Sequence, residues 1–135
     1  MTDTIDRTAL EESLYQLVVE TATNLPTDVR TAIRAARAGE DATTRSALAL
    51  ATIAQNIDFA ATDVLPLCQD TGMPTFFVHT PVGTNQLHVK AAIRSAVARA
   101  TKAGKLRTNS VDSLTGENTG DNLGPGSPVI HFSQW

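Results

Sequence analysis

Cysteine occurs once, at position 68, so no internal disulfide is possible, and a reducing, cytoplasmic setting is expected. Aromatic residues are scarce, with four Phe, one Tyr and one Trp in 135 residues. The core must therefore be built mainly from Ala, Leu, Val and Ile, and the 41% hydrophobic content is enough for one domain of this length. No block of basic residues exists and the formal net charge is −3, which argues against general nucleic-acid binding. No apolar run approaches the roughly 20 residues of a membrane-spanning helix. The first residues, Met1 to Asp6, are polar and acidic, unlike a signal peptide or an Arg-rich transit peptide. Internal repeats are absent. A dinucleotide fingerprint is absent too: the glycines from 116 to 126 are spaced four, four and two apart, and no Lys-Ser or Lys-Thr follows as in a phosphate loop.

What the chain does contain is an unusual setting for its one thiol. Cys68 stands in Leu65-Pro66-Leu67-Cys68-Gln69-Asp70-Thr71-Gly72-Met73-Pro74, with a carboxamide and a carboxylate directly after it. Pro66 and Pro74 each remove a backbone donor and push the preceding residue out of helix, so a stiff loop is expected. Reactive groups are often mounted on such loops. Two readings of Cys68 stand side by side. A lone Cys is commonly a small buried apolar side chain, but Gln69, Asp70 and Thr71 would make poor core neighbours for it.

The rest of the chain divides by its periodicity. Thr8-Ala9-Leu10-Glu11 reads as a capping box, followed by a helix with Leu10, Leu14, Leu17, Val18 and Ala22 on one face, ending near Asn24. A second helix starts at Leu25-Pro26-Thr27-Asp28, carries Val29, Ile33 and Ala36, and closes at Gly39. A third, from about Thr44 to about Ala61, has apolar residues on more than one face and is expected to be the most buried of these three. Thr75 to His79 reads as a strand stopped by Pro81 and Gly83. Thr84 or Asn85 caps a fourth helix, with Val89, Ile93, Val97 and Ala100 inward, Lys90, Arg94 and Arg99 toward water, and Gly104 at its end. Five of the eight glycines lie from Gly104 onward. There a polar, turn-dense loop precedes a strand at Pro128 to Phe132. The fold class expected is α+β: a helical N-terminal half (1–62), the cysteine loop and strand (63–83), a helix (84–103), and a glycine-rich loop and strand (104–135), with helices packed on a small sheet. Trp135, directly after a strand, would leave apolar surface uncovered, so the chain is expected to continue in a longer protein.

Other polar residues allow two readings each. The glycine-rich loop is either a surface loop of turns or a ligand-facing segment. His79, His88 and His131 have no metal-ligand spacing to one another or to Cys68 and read as structural. Arg107, at the entry to the glycine-rich loop, is either a solvated residue after a helix end or a guanidinium placed to grip a carboxylate bidentately.

Two blocks together bring a family into view. Cys68-Gln69-Asp70-Thr71-Gly72 followed by an apolar strand resembles the first cluster-binding motif of the iron–sulfur hydro-lyases, the class I fumarate hydratases and L-tartrate dehydratase alpha subunits. Leu106-Arg107-Thr108-Asn109-Ser110-Val111-Asp112, then Asn118-Thr119-Gly120-Asp121-Asn122 and Gly124-Pro125-Gly126-Ser127-Pro128-Val129-Ile130-His131-Phe132, is similar to the following block, closer to fumarate hydratase than to tartrate dehydratase. The resemblance covers nearly the whole chain. It implies a [4Fe–4S] cluster held by three thiolates, with one open iron acting as a Lewis acid on the hydroxyl of a small dicarboxylate. By the same resemblance Cys68 is the first cluster ligand, and Gln69 and Arg107 bind substrate carboxylates. Asp70 contacts substrate in an acid–base role, and the Asn118 to Gly126 loop lies near the site.

The second and third cysteines are not in this chain. The resemblance therefore implies an N-terminal part of an alpha-type domain, inactive alone and completed by missing alpha residues and a beta domain or subunit, the intact enzyme being a dimer. The alternatives are an L-tartrate dehydratase-type subunit, or a non-catalytic helical assembly module with a structural Cys68.

Overall fold

The computed structural model describes residues 6–135. Four helices and two strands follow in the order α1 (Arg7–Thr23), α2 (Thr27–Gly39), α3 (Arg45–Asp63), a 3-10 turn at Gln69–Gly72, β1 (Thr75–Thr80), α4 (Gln86–Lys102) and β2 (Val129–Gln134). The α+β expectation holds. The strands form a parallel pair, Thr75 opposite Val129 and Thr80 opposite Gln134. Parallel neighbours cannot be joined by a hairpin, and the crossover here is α4 plus the whole glycine-rich loop.

The core lies between α1 and α4. Val18, Val19 and Ala22 pack on Val97, Ala100 and Leu106, with Tyr15, Phe76 and Leu123 at the margin. Ala92, Ile93, Val97 and Ala100 on α4 are fully buried. Small residues on this face let the helices approach closely, which suits a chain so poor in aromatics. Outside the core, Arg99 ties the two helices together, 2.6 Å from Glu12 and over the Tyr15 ring at 3.8 Å.

Several expectations change in detail. The cap of α1 is Asp6, which accepts the N–H groups of Thr8 and Ala9. The box at Thr8 is not used, because the helix has already begun at Arg7. The inward face of α1 is centred on Val18, Val19, Ala22 and Thr23, while Leu17 is 55% exposed.

The third helix is not the most buried of the first three. Only Ile57 and Ala60 of α3 are buried, and Leu48, Ile53 and Phe59 face outward, because α3 packs chiefly on the short α2, which buries no residue itself. Arg94 is half-buried rather than solvated, its guanidinium donating to the carbonyls of Leu123 and Ser127 in the glycine-rich loop. Thr44 and Asn85 cap α3 and α4 as their residue types favour. No helix among the described residues is long and apolar enough to cross a membrane.

Candidate active site

The cysteine loop is fastened to α1, α3 and the segment that follows α4. Its entry is Val64, which ends α3 in the left-handed region at φ 53°, and whose carbonyl accepts from Lys105 Nζ at 2.7 Å. The Leu65 N–H donates to Ala60 O at 3.0 Å and the Leu67 N–H to Ala22 O at 2.9 Å. Leu67 O accepts from Asn56 Nδ2 at 2.9 Å. Backbone groups on the entry side of Cys68 are thus committed to α1 and α3, while the cysteine itself stays exposed. A thiol in this position is not the buried apolar filler that a lone cysteine often is.

After Cys68 the chain makes the 3-10 turn Gln69–Gly72 and meets the segment that leaves α4. Thr71 Oγ1 accepts the Arg107 N–H at 3.1 Å and donates to Cys68 O at 3.4 Å. Asn109 Nδ2 donates to Gln69 O. Gly72 is buried against the same segment: a Cβ there would lie 1.9 Å from Arg107 O and 2.9 Å from Asn122 Nδ2. Only a residue without a side chain allows this approach.

The turn and the Arg107 segment are therefore in contact through backbone and threonine, 36 residues apart in sequence. Cys68, Gln69, Asp70 and Arg107 are all exposed at this junction. Their backbone is held from behind by these contacts, and of the four only Asp70 lines the cavity beside the turn. That cavity of about 360 Å³ opens beside Asp70 and Thr71, walled by Val18, Ala22, Phe76 and Leu106.

The glycine-rich loop is organised by its polar side chains. Asp112 accepts the N–H groups of Leu114 and Thr115, which hold its carboxyl below the usual carboxylate range. Asp121 is held low by Thr119, by the Leu123 N–H and by the positive charge of Arg94. At the centre is Asn122, fully buried with φ 59°. From the sequence, Asn109 and Asn122 read as members of a polar loop without individual roles. Asn122 Nδ2 donates at 3.0 Å to Thr101 Oγ1, which itself donates to Val97 O of its own helix at 2.8 Å, so Thr101 carries no local signal for a partner in the loop.

The three histidines do not converge. His79 Nδ1 lies 2.6 Å from Ser133 Oγ, His131 stacks on Phe77 at 4.9 Å, and His88 lies in the first turn of α4. Among the described residues no group of three or more His, Cys, Asp or Glu side chains is placed to hold a metal ion. An exposed thiol on a fixed loop suits one ligand of an iron–sulfur cluster, but one thiolate does not make a cluster site. The residues present do not hold such a group by themselves.

Comparison with known proteins agrees with the residue pattern. The family model described as fumarate hydratase (Fumerase) matches residues 11–135. The chain is 61% identical over 126 residues to a Geobacillus stearothermophilus protein that carries the name fumarate hydratase class I, covering 93% of this chain and 24% of that one. It is 34% identical over 126 residues to a Methanocaldococcus jannaschii protein that carries the name L(+)-tartrate dehydratase subunit alpha, covering 91% of this chain and 44% of that one. The chain thus spans about a quarter and under half of the lengths of these two relatives. With both sequence blocks matched and brought together in space, the chain belongs to the fumarate hydratase (Fumerase) family.

Proposed function

We propose that this chain is the N-terminal part of the alpha-type catalytic domain of an iron–sulfur hydro-lyase, which adds and removes water reversibly on a small dicarboxylate of the fumarate/malate kind. The observation that supports it most is the backbone junction between the Gln69–Gly72 turn and Arg107, which brings the two sequence blocks into contact although they are 36 residues apart. The stronger identity to the fumarate hydratase-named relative favours fumarate over tartrate.

In this reading Arg107 clamps one substrate carboxylate through paired N–H donors, and the Gln69 carboxamide donates to a carboxylate oxygen. Together they fix the diacid before reaction, which removes the orientational cost of the chemical step. Asp70 holds or transfers a proton at the reacting centre, as a carboxylate within hydrogen-bond reach of substrate can. The Cys68 thiolate is one of three cluster ligands, the other two and a beta domain or subunit being supplied by the rest of a cytoplasmic, dimeric enzyme. When bound, a [4Fe–4S] cluster with an open iron supplies Lewis acidity toward the substrate hydroxyl. The 135 residues alone are inactive.

The test is anaerobic expression of the complete protein, with iron and sulfide analysis and with fumarate and L-tartrate as substrates. A brown, oxygen-sensitive protein that hydrates fumarate is expected, and Cys68→Ala removes both iron and turnover. Full turnover in Cys68→Ala would refute the proposal. A non-catalytic module with a structural cysteine predicts unchanged behaviour after Cys68→Ser, and the exposure of Cys68 weighs against it.

A further inference from the structure

We infer that Asn122 is a positioning residue for the carboxylate site, its buried carboxamide setting the separation between the turn that carries Gln69 and Asp70 and the segment that carries Arg107. The inference rests on the reading of that site proposed above and gives the glycine-rich loop a defined part in it.

Every hydrogen-bonding position of the carboxamide is used. Oδ1 accepts the N–H of Asn109 at 2.9 Å and of Ser110 at 3.1 Å. Nδ2 donates to Arg107 O at 2.7 Å and to Thr101 Oγ1 at 3.0 Å. The backbone carbonyl of Asn122 accepts the Ser127 hydroxyl at 2.8 Å. A side chain so committed has one orientation, since a flip would set its NH₂ against two N–H donors and its oxygen against a carbonyl. The left-handed backbone at φ 59° is one that Asn adopts more readily than most residues.

What Asn122 holds is the machinery of the site. It grips the carbonyl of Arg107, the same oxygen against which Gly72 is packed. It also grips the N–H of Asn109, whose own side chain reaches Gln69 O. A shift of Asn122 therefore moves both carboxylate-binding residues, although Asn122 is buried and touches no ligand itself. Anchoring on α4 through Thr101 refers the whole junction to the most buried helix of the fold.

The experiment uses the complete, cluster-loaded protein and succinate, a saturated dicarboxylate that cannot be hydrated. Asn122→Asp keeps the shape and the left-handed backbone while removing both Nδ2 donors, to Arg107 O and to Thr101 Oγ1, and Asn122→Gly removes all four side-chain bonds. Asn109→Ala, at a half-buried position, removes the link to Gln69 O alone. The expected result is about a tenfold weaker succinate Kd for either Asn122 variant, about threefold for Asn109→Ala, and matching rises in the KM for fumarate. Combined with Arg107→Ala, an Asn122 change adds no more than the roughly threefold that passes through Asn109 to Gln69, because the guanidinium it positions is gone.

A lower melting temperature with unchanged Kd and KM in the Asn122 variants overturns the inference, as do fully additive losses in the double variant. If the Asn122 variants do not fold, an unchanged Kd in Asn109→Ala overturns it. An unchanged succinate Kd in Arg107→Ala itself refutes the carboxylate-site reading, and the inference falls with it.

Discussion

Replacing Gly72 by Ala probes the junction most sharply, because a single methyl group meets backbone that has no room to yield. The new Cβ would lie 1.9 Å from Arg107 O, so the carbonyl must retreat by about 1.5 Å to reach an ordinary contact. That oxygen is also the acceptor of Asn122 Nδ2 at 2.7 Å, a bond that such a retreat stretches or breaks. Overpacking of this kind costs about 1–3 kcal/mol, and an unsatisfied buried polar group about 1–3 kcal/mol more. The sum, about 2–6 kcal/mol, is a large part of the stability of an ordinary domain. Urea unfolding followed by the helical circular dichroism signal reads it as a lowered midpoint. Gly39→Ala is the internal control, since nothing lies within 4 Å of its Cβ position. Ala at that helix end is expected to be neutral or to stabilise by up to about 1 kcal/mol. Equal midpoints for Gly72→Ala and the unaltered protein would refute the claim that the turn and the Arg107 segment are in contact.

Other consequences are open to measurement. Val64→Gly relieves a β-branched residue from a left-handed backbone at φ 53° and is expected to raise stability by about 0.5–1 kcal/mol, the strain relieved exceeding the entropy that glycine loses; a fall in the thermal midpoint would contradict this. Glu12, Asp41, Asp112 and Asp121 are all held below their ordinary values in the fold, Glu12 chiefly by Arg99 and Asp41 by Thr43. Their contribution is present above the unfolded pKa of about 4 and is lost as pH falls through the depressed folded values, so the urea midpoint should drop below about pH 4. A midpoint that is flat or rising in this range would argue against these bonds. Glu12→Gln should reduce that acid slope and also the salt sensitivity of stability, since the Arg99 pair is exposed to screening; unchanged slopes would remove Glu12 from the account.

Much of the architecture could be read before any coordinates. Helix ends at Asn24 and Gly39, caps at Thr44 and Asn85, and both strands follow from local chemistry that acts within a few residues. Burial was less legible. The apolar residues of α3 satisfy a buried pattern, yet whether Leu48, Ile53 and Phe59 are covered depends on what packs there, which periodicity does not encode. Arg94 illustrates the reverse case, a charged residue drawn inward by loop carbonyls some 30 positions away in the chain. At the site, Cys68, Gln69, Asp70 and Arg107 stood out by residue type and by resemblance. Their juxtaposition rests on Gly72, Thr71, Asn109 and Asn122, whose partners are distant in sequence and whose types also suit any turn-rich loop.

The central claim is that the cysteine turn and Arg107 form two sides of one dicarboxylate site. A crystal structure of the complete protein, prepared anaerobically with succinate bound, tests it directly. Iron on the Cys68 sulfur is expected, with a succinate carboxylate within hydrogen-bond distance of both the Arg107 guanidinium and the Gln69 carboxamide. Succinate bound elsewhere, with Arg107 in solvent and no iron at Cys68, would contradict it.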